Sequence, residues 1–453
     1  MPKHNQSIIR ILSIMGMVTA AHPALSANQT FPPITNQLGF HVEGNQLISN
    51  ASGRQFVPAG YNAPFGYYLT PPEINGTLTN DYPLTTGLTD LDPRNVPLGQ
   101  TGANAVRLWT VDHFPPGQGT PPNQIIGLPT LVEQSLQQGL VPILTEGLTT
   151  GKNSFDPSNS GNYPQVNGFS VPTFPSYYTD WQGNPQPINT IPGFVPDKPD
   201  DWGLWQTIQS WTSPTNLALF QANPDLILNI ANEWGAPTFS NNSNSSNAAM
   251  EKYWADSYQY AINYLRSKGI NNTIMVDTQY GQYAPAILDY GQAIENADPA
   301  HNTIFSVHIY NGFNDCTPQP GCQPNYQANL EKSINELANA GVPVIIGEYS
   351  NQTYQNTYNY TNLVQLANAN KIGWLFWTWD TPGDTPYDSL APAMYDVSTN
   401  PAYGLQALSQ NSIYQLEAVP STFFPGESAF LGLPFFLGMR YLRKKIDKSG
   451  KDN

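Results

Sequence analysis

LILNIANE at residues 226–233 and VPVIIGEY at residues 342–349 are the stretches that decide the fold expected of this sequence. Both are largely apolar, both contain isoleucine, and each has a glutamate at or next to its end. Such runs are typical of strands that are buried on both faces, as in a parallel sheet. A carboxylate is rarely buried without a partner. The two stretches therefore predict a parallel sheet with acidic groups at the ends of its strands.

Six further runs of the same kind raise the number of predicted strands to eight. The eight runs occupy residues 55–62, 103–110, 140–146, 226–233, 273–278, 303–310, 342–349 and 372–379. Apolar residues at helical spacing fill several gaps, as at Trp254, Tyr258, Ile262 and Leu265, and Gly269 follows where a helix end tolerates positive φ. This alternation predicts an α/β fold, a (β/α)8 TIM barrel in one catalytic domain. A doubly wound open sheet is the alternative, but no Gly-rich phosphate loop follows the first strand.

The composition excludes some classes of function. The 453 residues carry a net charge of −15, and charged residues make up 11% of the chain, against about 25% in an average soluble domain. Eight of the 18 Lys and Arg residues lie in the terminal segments 1–27 and 419–453, so the central part is more acidic still. Nucleic-acid binding through a basic face is therefore not expected. An acidic surface favours neutral substrates and repels polyanions.

Both ends of the chain are predicted to be targeting segments. Residues 1–27 have the basic, apolar and small-residue parts of a secretory signal peptide. Residues 419–453 contain a proline, an apolar stretch and a basic cluster, which resembles a bacterial sorting tail; a frayed amphipathic helix is the alternative. We therefore expect residues 28–418 to form the barrel. The protein is expected to be secreted, with attachment to a membrane or to the cell envelope through the tail as a further option.

The only cysteines of the chain are Cys316 and Cys322. An exported protein meets an oxidising compartment, so the pair is predicted to close one short loop by a disulfide. A metal site built on two cysteines would need further ligands, and only four histidines follow the predicted signal peptide. We therefore expect no metal. We also expect that the protein needs no cofactor and that it is a monomer.

Glu233 and Glu348 lie at the ends of the fourth and seventh predicted strands, and the carboxyl ends of barrel strands meet around one axis. For one such acid alone, a helix cap or an ion pair would be the simpler account. Two opposed acids can cleave a glycosidic bond, one protonating the leaving oxygen while the other attacks the anomeric carbon, and retention of configuration needs them about 5 to 5.5 Å apart. Arg107 lies within a predicted strand and is expected to keep the nucleophile ionised; a structural ion pair is the alternative.

Other side chains at the strand ends are candidates for substrate contacts. His308 and Tyr310 share one face of the sixth predicted strand, so we expect Tyr310 to donate to the nucleophile and His308 to lie beside or beneath the sugar. An indole offers a flat apolar face to a pyranose ring. The tryptophans considered for this role are Trp109, Trp234, Trp377 and Trp379. Trp181, in the long loop of residues 147–201, is expected to extend the groove or to cover it.

The later part of the chain resembles glycoside hydrolase family 5, and within it the bacterial β-mannanases. The similar blocks are MVD at 275–277, GQY at 281–283, DYG at 289–291, NADP at 296–299, FSVHIY at 305–310, GE at 347–348, GWL at 373–375 and WTW at 377–379. The resemblance spans roughly residues 55–380 and is weak before residue 220. It implies that Glu233 is the acid/base and Glu348 the nucleophile. Residues at the family's supporting positions are Arg107, Asn232, His308, Tyr310 and Trp377.

The resemblance implies a retaining endo-glycoside hydrolase that acts on a β-1,4-linked polysaccharide, above all mannan or glucomannan. An endo-β-1,4-glucanase of the same family is the first alternative, and a non-catalytic carbohydrate-binding barrel is the alternative from another class. The chain departs from the mannanases at residues 144–147, where their histidine is absent, and at 235–237 and 380–383. No Gly-Xaa-Ser-Xaa-Gly pentapeptide is present, so a serine hydrolase is not expected.

Overall fold

A closed barrel of eight parallel strands forms the core of the protein. The computed structural model describes residues 39–63, 103–109, 128–159, 161, 163–179, 184–190, 196–199, 201–235, 248–279, 285–309, 326–349 and 360–377. The barrel strands, numbered by their place among all described strands, are β4 (Ala59–Ala63), β5 (Ala105–Trp109), β6 (Val141–Thr145), β9 (Ile227–Asn229), β10 (Thr273–Asp277), β11 (Thr303–Ile309), β12 (Val344–Tyr349) and β13 (Gly373–Phe376). They correspond one to one to the predicted strands, which confirms the barrel.

The strand boundaries differ from the prediction at one functionally important place. The predicted strand 226–233 ends at Asn229 in the structure, so Glu233 lies in the turn that follows β9. Glu348, in contrast, lies within β12, one residue before its end. The two acids therefore reach the same end of the barrel from different backbone settings.

Helices cover the outside of the barrel. They are α1 (Leu128–Gln137), α2 (Leu204–Trp211), α3 (Pro214–Ala222), α4 (Ala248–Ser267), α5 (Pro285–Ala297), α6 (Tyr326–Ala338) and α7 (Tyr360–Ala369). The apolar positions that predicted α4 are all fully buried. Gly269, just past that helix, has φ of +90°, so the predicted cap position is confirmed.

A small antiparallel sheet covers the amino-terminal end of the barrel. It consists of β1 (Phe40–Glu43), β2 (Gln46–Ser49) and β3 (Arg54–Gln55). Phe40 and Phe56 stack with their ring centroids 4.8 Å apart, and they pack on interior side chains such as Ile227 and Met275. Because this end is filled with apolar side chains, the polar interior lies at the opposite, carboxyl end of the strands.

The long segment between β6 and α2 packs on the outside of α4. It contains the hairpin of β7 (Tyr177–Thr179) and β8 (Pro185–Pro187), and Phe155 lies among Tyr163, Trp205 and Tyr260. Asp197 accepts the backbone N–H groups of Asn153 (2.7 Å) and Ser154 (2.6 Å). These bonds anchor the first part of the segment, which matters for the site described below.

A buried ion pair joins α4 to the chain that leads into β11. Arg266 donates to both carboxylate oxygens of Asp298 at 2.8 Å, and it also donates to the carbonyls of Ile270 and Asn272. Asp298 in turn accepts the hydroxyl of Thr303 at 2.8 Å. The pair is fully hydrogen-bonded, which is the condition under which a buried ion pair is tolerated.

We predict that Asp298→Asn lowers the free energy of unfolding by roughly 3–5 kcal/mol at neutral pH, because it leaves a buried guanidinium without its counter-charge. Burial alone would raise the pKa of Asp298, but the hydrogen bonds and charge of Arg266 outweigh it and hold the pKa below its ordinary value. A depressed folded-state pKa stabilises above the unfolded-state value of about 3.9, and this stability is lost as the pH falls through the folded-state pKa. The gap between wild type and variant should therefore shrink below about pH 4.

Urea unfolding from pH 7 to pH 3 measures this gap. Lys252→Ala is the control, since Lys252 pairs with Asp256 on the exposed side of α4 and should change stability little. An Asp298→Asn protein as stable as wild type at pH 7 would contradict the assignment.

Several predicted features lie outside the described residues. They are the signal peptide 1–27, the tail 419–453, Tyr310, Trp379, Trp181 and the pair Cys316 and Cys322. The proposed disulfide and both targeting segments therefore stay predictions. No helix among the described residues has the length and apolar character needed to cross a membrane.

Candidate active site

Arg107 of β5 is the centre of a hydrogen-bond network inside the barrel. Its side chain is completely buried, and its Nη1 donates to Glu348 Oε1 at 2.6 Å and to Asn62 Oδ1 at 3.0 Å. Nη2 donates to Asn232 Oδ1 at 2.6 Å, and Nε donates to Asn229 Oδ1 at 2.9 Å. The cation thus lies beside the predicted nucleophile, as expected, and neutral amide oxygens occupy most of its other donors.

A glycine allows β12 to present Glu348. A Cβ added to Gly347 would lie 2.1 Å from Ser306 Oγ and 3.1 Å from His308 Nε2. The pairing register between β11 and β12 also shifts between Val307 and His308. A larger side chain at Gly347 would force the side chains of Ser306 and His308 to move, so the close approach of His308 to Glu348 depends on this glycine.

His308 lies between the two predicted catalytic acids. Its Nδ1 is 2.7 Å from Glu233 Oε1 and 3.5 Å from Glu348 Oε2. Burial would lower the pKa of His308, but the negative charges of Glu348 and Asp277 and the contact with Glu233 raise it above its ordinary value. A protonated His308 donates its Nδ1–H to Glu233. The expected position beneath or beside the sugar is therefore refined to one between the carboxylates.

Glu233 has the properties of a general acid. Burial raises its pKa above the ordinary value; the contact with His308 opposes this shift, and the charges of Glu348 and Asp277 add to it. Its backbone has φ of +49°, in the left-handed region that few residues other than glycine adopt. Strained conformations of this kind cluster at functional sites.

The two acids are close enough for retaining chemistry. One oxygen of Glu233, one oxygen of Glu348 and a ring nitrogen of His308 all lie within 4.8 Å of one another. Carboxylates about 5 to 5.5 Å apart leave no room for a water between the sugar and the second acid, so that acid attacks directly. A cation could use the same three atoms only by displacing His308 from Glu233, and Arg107 already neutralises Glu348. The three atoms therefore have the spacing that acid–base and nucleophilic chemistry at a sugar needs.

The start of the long segment after β6 holds the chain on both sides of Glu233. Thr149 Oγ1 donates to the carbonyl of Asn232 at 2.9 Å, and Asn232 Nδ2 donates to Thr150 Oγ1 at 2.7 Å. The N–H of Gly235 donates to the carbonyl of Lys152 at 2.8 Å. This part of the predicted loop thus holds the chain on both sides of Glu233 by side-chain and backbone hydrogen bonds.

The described tryptophans that were predicted to contact the sugar differ in how exposed their side chains are. Trp377 is partly exposed at the end of β13 and meets Trp109 edge-on, with centroids 5.0 Å apart. Trp109 is only 4% exposed and contacts Arg107, so it supports Trp377 and the cation but offers a sugar no open face. Trp234 is fully buried and donates from Nε1 to the carbonyl of Ser154 at 3.1 Å. The structure therefore corrects the idea that Trp109 and Trp234 are exposed platforms.

Three polar residues of the site were not singled out as site residues from the sequence. Asn62, Asn229 and Asp277 are buried, lie on three different barrel strands, and all contact Arg107. Their signal in the sequence is a single polar side chain within an apolar run. That signal becomes specific only when the barrel closes and directs the three strands toward one guanidinium.

Two adjacent glutamates at the carboxyl end of a (β/α)8 barrel, one beside an arginine and the other beside a histidine, form the kind of arrangement that glycoside hydrolases use. Residues 206–383 match the family model described as Cellulase (glycosyl hydrolase family 5). The resemblance to this family is therefore confirmed for the segment that contains both Glu233 and Glu348.

Two individual known proteins are similar to part of this chain. The chain is 31% identical over 163 residues to a mannan endo-1,4-beta-mannosidase of Salipaludibacillus agaradhaerens, which is 36% of this chain and 46% of that protein. It is 29% identical over 179 residues to the beta-mannanase/endoglucanase A of Caldicellulosiruptor saccharolyticus, 39% of this chain and 12% of that protein. The chain thus spans less than half the length of these two relatives.

A solved structure supports the fold. The crystal structure of a beta-mannanase from Streptomyces thermolilacinus with mannohexaose superposes with a TM-score of 0.54 and 18% sequence identity. The likeness covers 86% of this chain and 99% of that one.

Proposed function

We propose that the protein is a retaining endo-glycoside hydrolase that cleaves β-1,4-linked mannan or glucomannan. The observation that carries this proposal is the pairing of Glu348 with Arg107 and of Glu233 with His308 on adjacent sides of one site. These contacts place an arginine beside the proposed nucleophile and a histidine beside the proposed proton donor, and double displacement requires two carboxyl groups with such different roles.

The reaction follows from that division. Glu348, paired with Arg107, attacks the anomeric carbon while Glu233 protonates the leaving glycosidic oxygen, so the glycosidic bond breaks as the bond to Glu348 forms. Glu233, now ionised, then removes a proton from water. The water oxygen attacks the anomeric carbon and releases Glu348 as a carboxylate. The product keeps the β configuration because each step inverts the carbon once.

The preference for mannan rests on the named relatives. One is described as a mannan endo-1,4-beta-mannosidase and the other as a beta-mannanase/endoglucanase. The second description, together with the departures at residues 144–147, 235–237 and 380–383, keeps an endo-β-1,4-glucanase as the second candidate. Export by residues 1–27 and a role of residues 419–453 in envelope attachment form part of the proposal, because both segments have the composition of targeting signals.

Action within chains requires an open groove with an aromatic contact at the cleavage point. Among the described tryptophans beside the site, Trp377 is the one whose side chain is partly exposed. Trp377→Ala should lower turnover on polysaccharide by about 10-fold, because it removes one stacking contact with the sugar.

Reducing-sugar release from mannan, glucomannan, a soluble cellulose derivative, xylan and mixed-linkage glucan identifies the substrate. We expect mixed oligosaccharides from mannan at early times.

Tyr177→Ala is the control. Tyr177 is exposed on β7 in the long segment, away from Glu233 and Glu348. It should leave turnover on mannan unchanged. Release of almost only one mono- or disaccharide from the start would contradict endo action, and activity on cellulose alone would favour the glucanase.

A further inference from the structure

Asp277, the last residue of β10, contacts both halves of the site. Its fully buried carboxylate accepts from Arg107 Nη2 at 3.1 Å and from Asn229 Nδ2 at 3.0 Å. The same carboxylate accepts the backbone N–H of Glu233 at 3.2 Å and lies 3.4 Å from His308 Nε2. It is therefore linked to the cation, to the acid/base and to the histidine that contacts both acids.

The contact with the backbone of Glu233 has a specific consequence. Glu233 adopts a left-handed conformation, which a non-glycine residue keeps only when its surroundings hold it there. Thr149, Lys152 and Asp277 supply these contacts, the first two through the flanking residues and Asp277 through Glu233 itself. Without the acceptor at Asp277, the N–H of Glu233 would lose the bond that fixes the direction of its side chain.

The carboxylate of Asp277 also lies beside the imidazole of His308. Asp277 lies at Nε2, on the opposite side of the ring from the Nδ1 that faces Glu233. At 3.4 Å the carboxylate is within ion-pair distance of Nε2, which makes no hydrogen bond to a described residue, so Asp277 acts on the ring through its negative charge. The ionisable groups that surround Asp277 are Arg107 from β5, Glu233 from the turn after β9, His308 from β11, Glu348 from β12 and the neutral Tyr258 of α4, whose pKa is raised by burial and by the charge of Asp277.

We propose that Asp277 is a positioning residue for the acid/base: it accepts the backbone N–H that holds Glu233 in its left-handed conformation, and it places a negative charge beside His308, which contacts Glu233. This inference rests on the proposed function, because it assigns a role within the same reaction. It attributes to Asp277 an effect on proton donation to the leaving group, and it leaves the attack by Glu348 to Arg107.

The test compares the kcat/KM values of one variant on two substrates. Proton donation matters for the poor leaving group of a polysaccharide but hardly for dinitrophenolate, which leaves unprotonated. Asp277→Asn should therefore lower kcat/KM on the polysaccharide at least about 10-fold more than kcat/KM on a dinitrophenyl β-glycoside of the matching oligosaccharide. A purely structural role would lower both values by the same factor.

Asp298→Asn is the matched control. Asp298 is also a buried aspartate paired with a buried arginine, but it lies at the amino-terminal end of β11. It should lower the melting temperature and leave the ratio of the two kcat/KM values at the wild-type level. If Asp277→Asn does not fold, Asp277→Ser, which also removes the charge but is smaller, is measured in the same way.

The outcomes separate the two proposals. A wild-type protein that cleaves neither substrate overturns the proposed function itself. An active wild type with equal losses on both substrates in the folded Asp277 variant overturns the positioning role alone. A selective loss on the polysaccharide, absent from Asp298→Asn, supports it.

Discussion

Glu348→Ala is expected to lower turnover on polysaccharide by about 10⁴-fold or more, because it removes the group that forms the covalent intermediate. Substrate binding should be largely kept, since sugar affinity depends mainly on stacking and on hydroxyl hydrogen bonds. Arg107 keeps Asp277 as a charge partner at 3.1 Å, so the variant should still fold. Initial rates and isothermal titration with a mannan oligosaccharide measure the two effects.

Azide supplies the second part of this prediction. In the space left by Glu348 it can attack the same face of the sugar, so it should restore cleavage of an activated aryl glycoside and give a glycosyl azide of inverted configuration. Glu146→Gln is the control, since Glu146 is another buried glutamate at the end of a barrel strand, where it accepts the N–H of Leu148 at 2.9 Å. It should keep most of the activity. A fall of only a few-fold in Glu348→Ala would reject its role as nucleophile.

Glu233→Gln is expected to show the second-largest effect, a loss of about 10²–10⁴-fold in kcat/KM on polysaccharide. An amide in this place cannot donate the proton that the leaving oxygen needs. The same variant should keep kcat/KM on a dinitrophenyl β-glycoside near the wild-type value. Azide should then accelerate turnover and give a glycosyl azide of retained configuration, because it attacks the intermediate on Glu348.

The pH profile gives an independent check on Glu233. Its pKa is raised, and it acts in the protonated form, so wild-type kcat/KM on polysaccharide should fall as the pH rises through that pKa. In Glu233→Gln this alkaline limb should disappear. A variant that keeps the limb unchanged would show that another group donates the proton.

The sequence allowed the barrel to be predicted because its strands are buried on both faces and therefore read as continuous apolar runs. Glu348 could be assigned for the same reason, since it stands within such a run. The end of β9 could not be predicted: Ile230 and Ala231 are as apolar as the strand before them, yet the strand ends at Asn229 and the chain turns at Asn232 and Glu233. Only the structure shows that Glu233 lies in that turn with a positive φ.

The aromatic residues show a second limit of sequence reasoning. Trp234 is the neighbour of Glu233 in the chain, but its indole is fully buried and packs with Tyr253 and Tyr258. Its proximity to Glu233 in the sequence therefore did not expose it at the site. Asp277 shows the reverse, because it is distant from Glu233 in sequence and yet accepts its backbone N–H.

The central claim, that Glu348 forms a covalent bond to the sugar, is tested most directly by trapping the intermediate. A 2-deoxy-2-fluoro glycoside with a dinitrophenyl leaving group slows both steps but loses its leaving group readily, so the glycosyl-enzyme should accumulate. Peptide mass spectrometry should then find the fluoro-sugar on the peptide that contains Glu348, and Glu348→Ala should remain unlabelled. A label on a different residue, or an α-configured first product by NMR, would contradict the account.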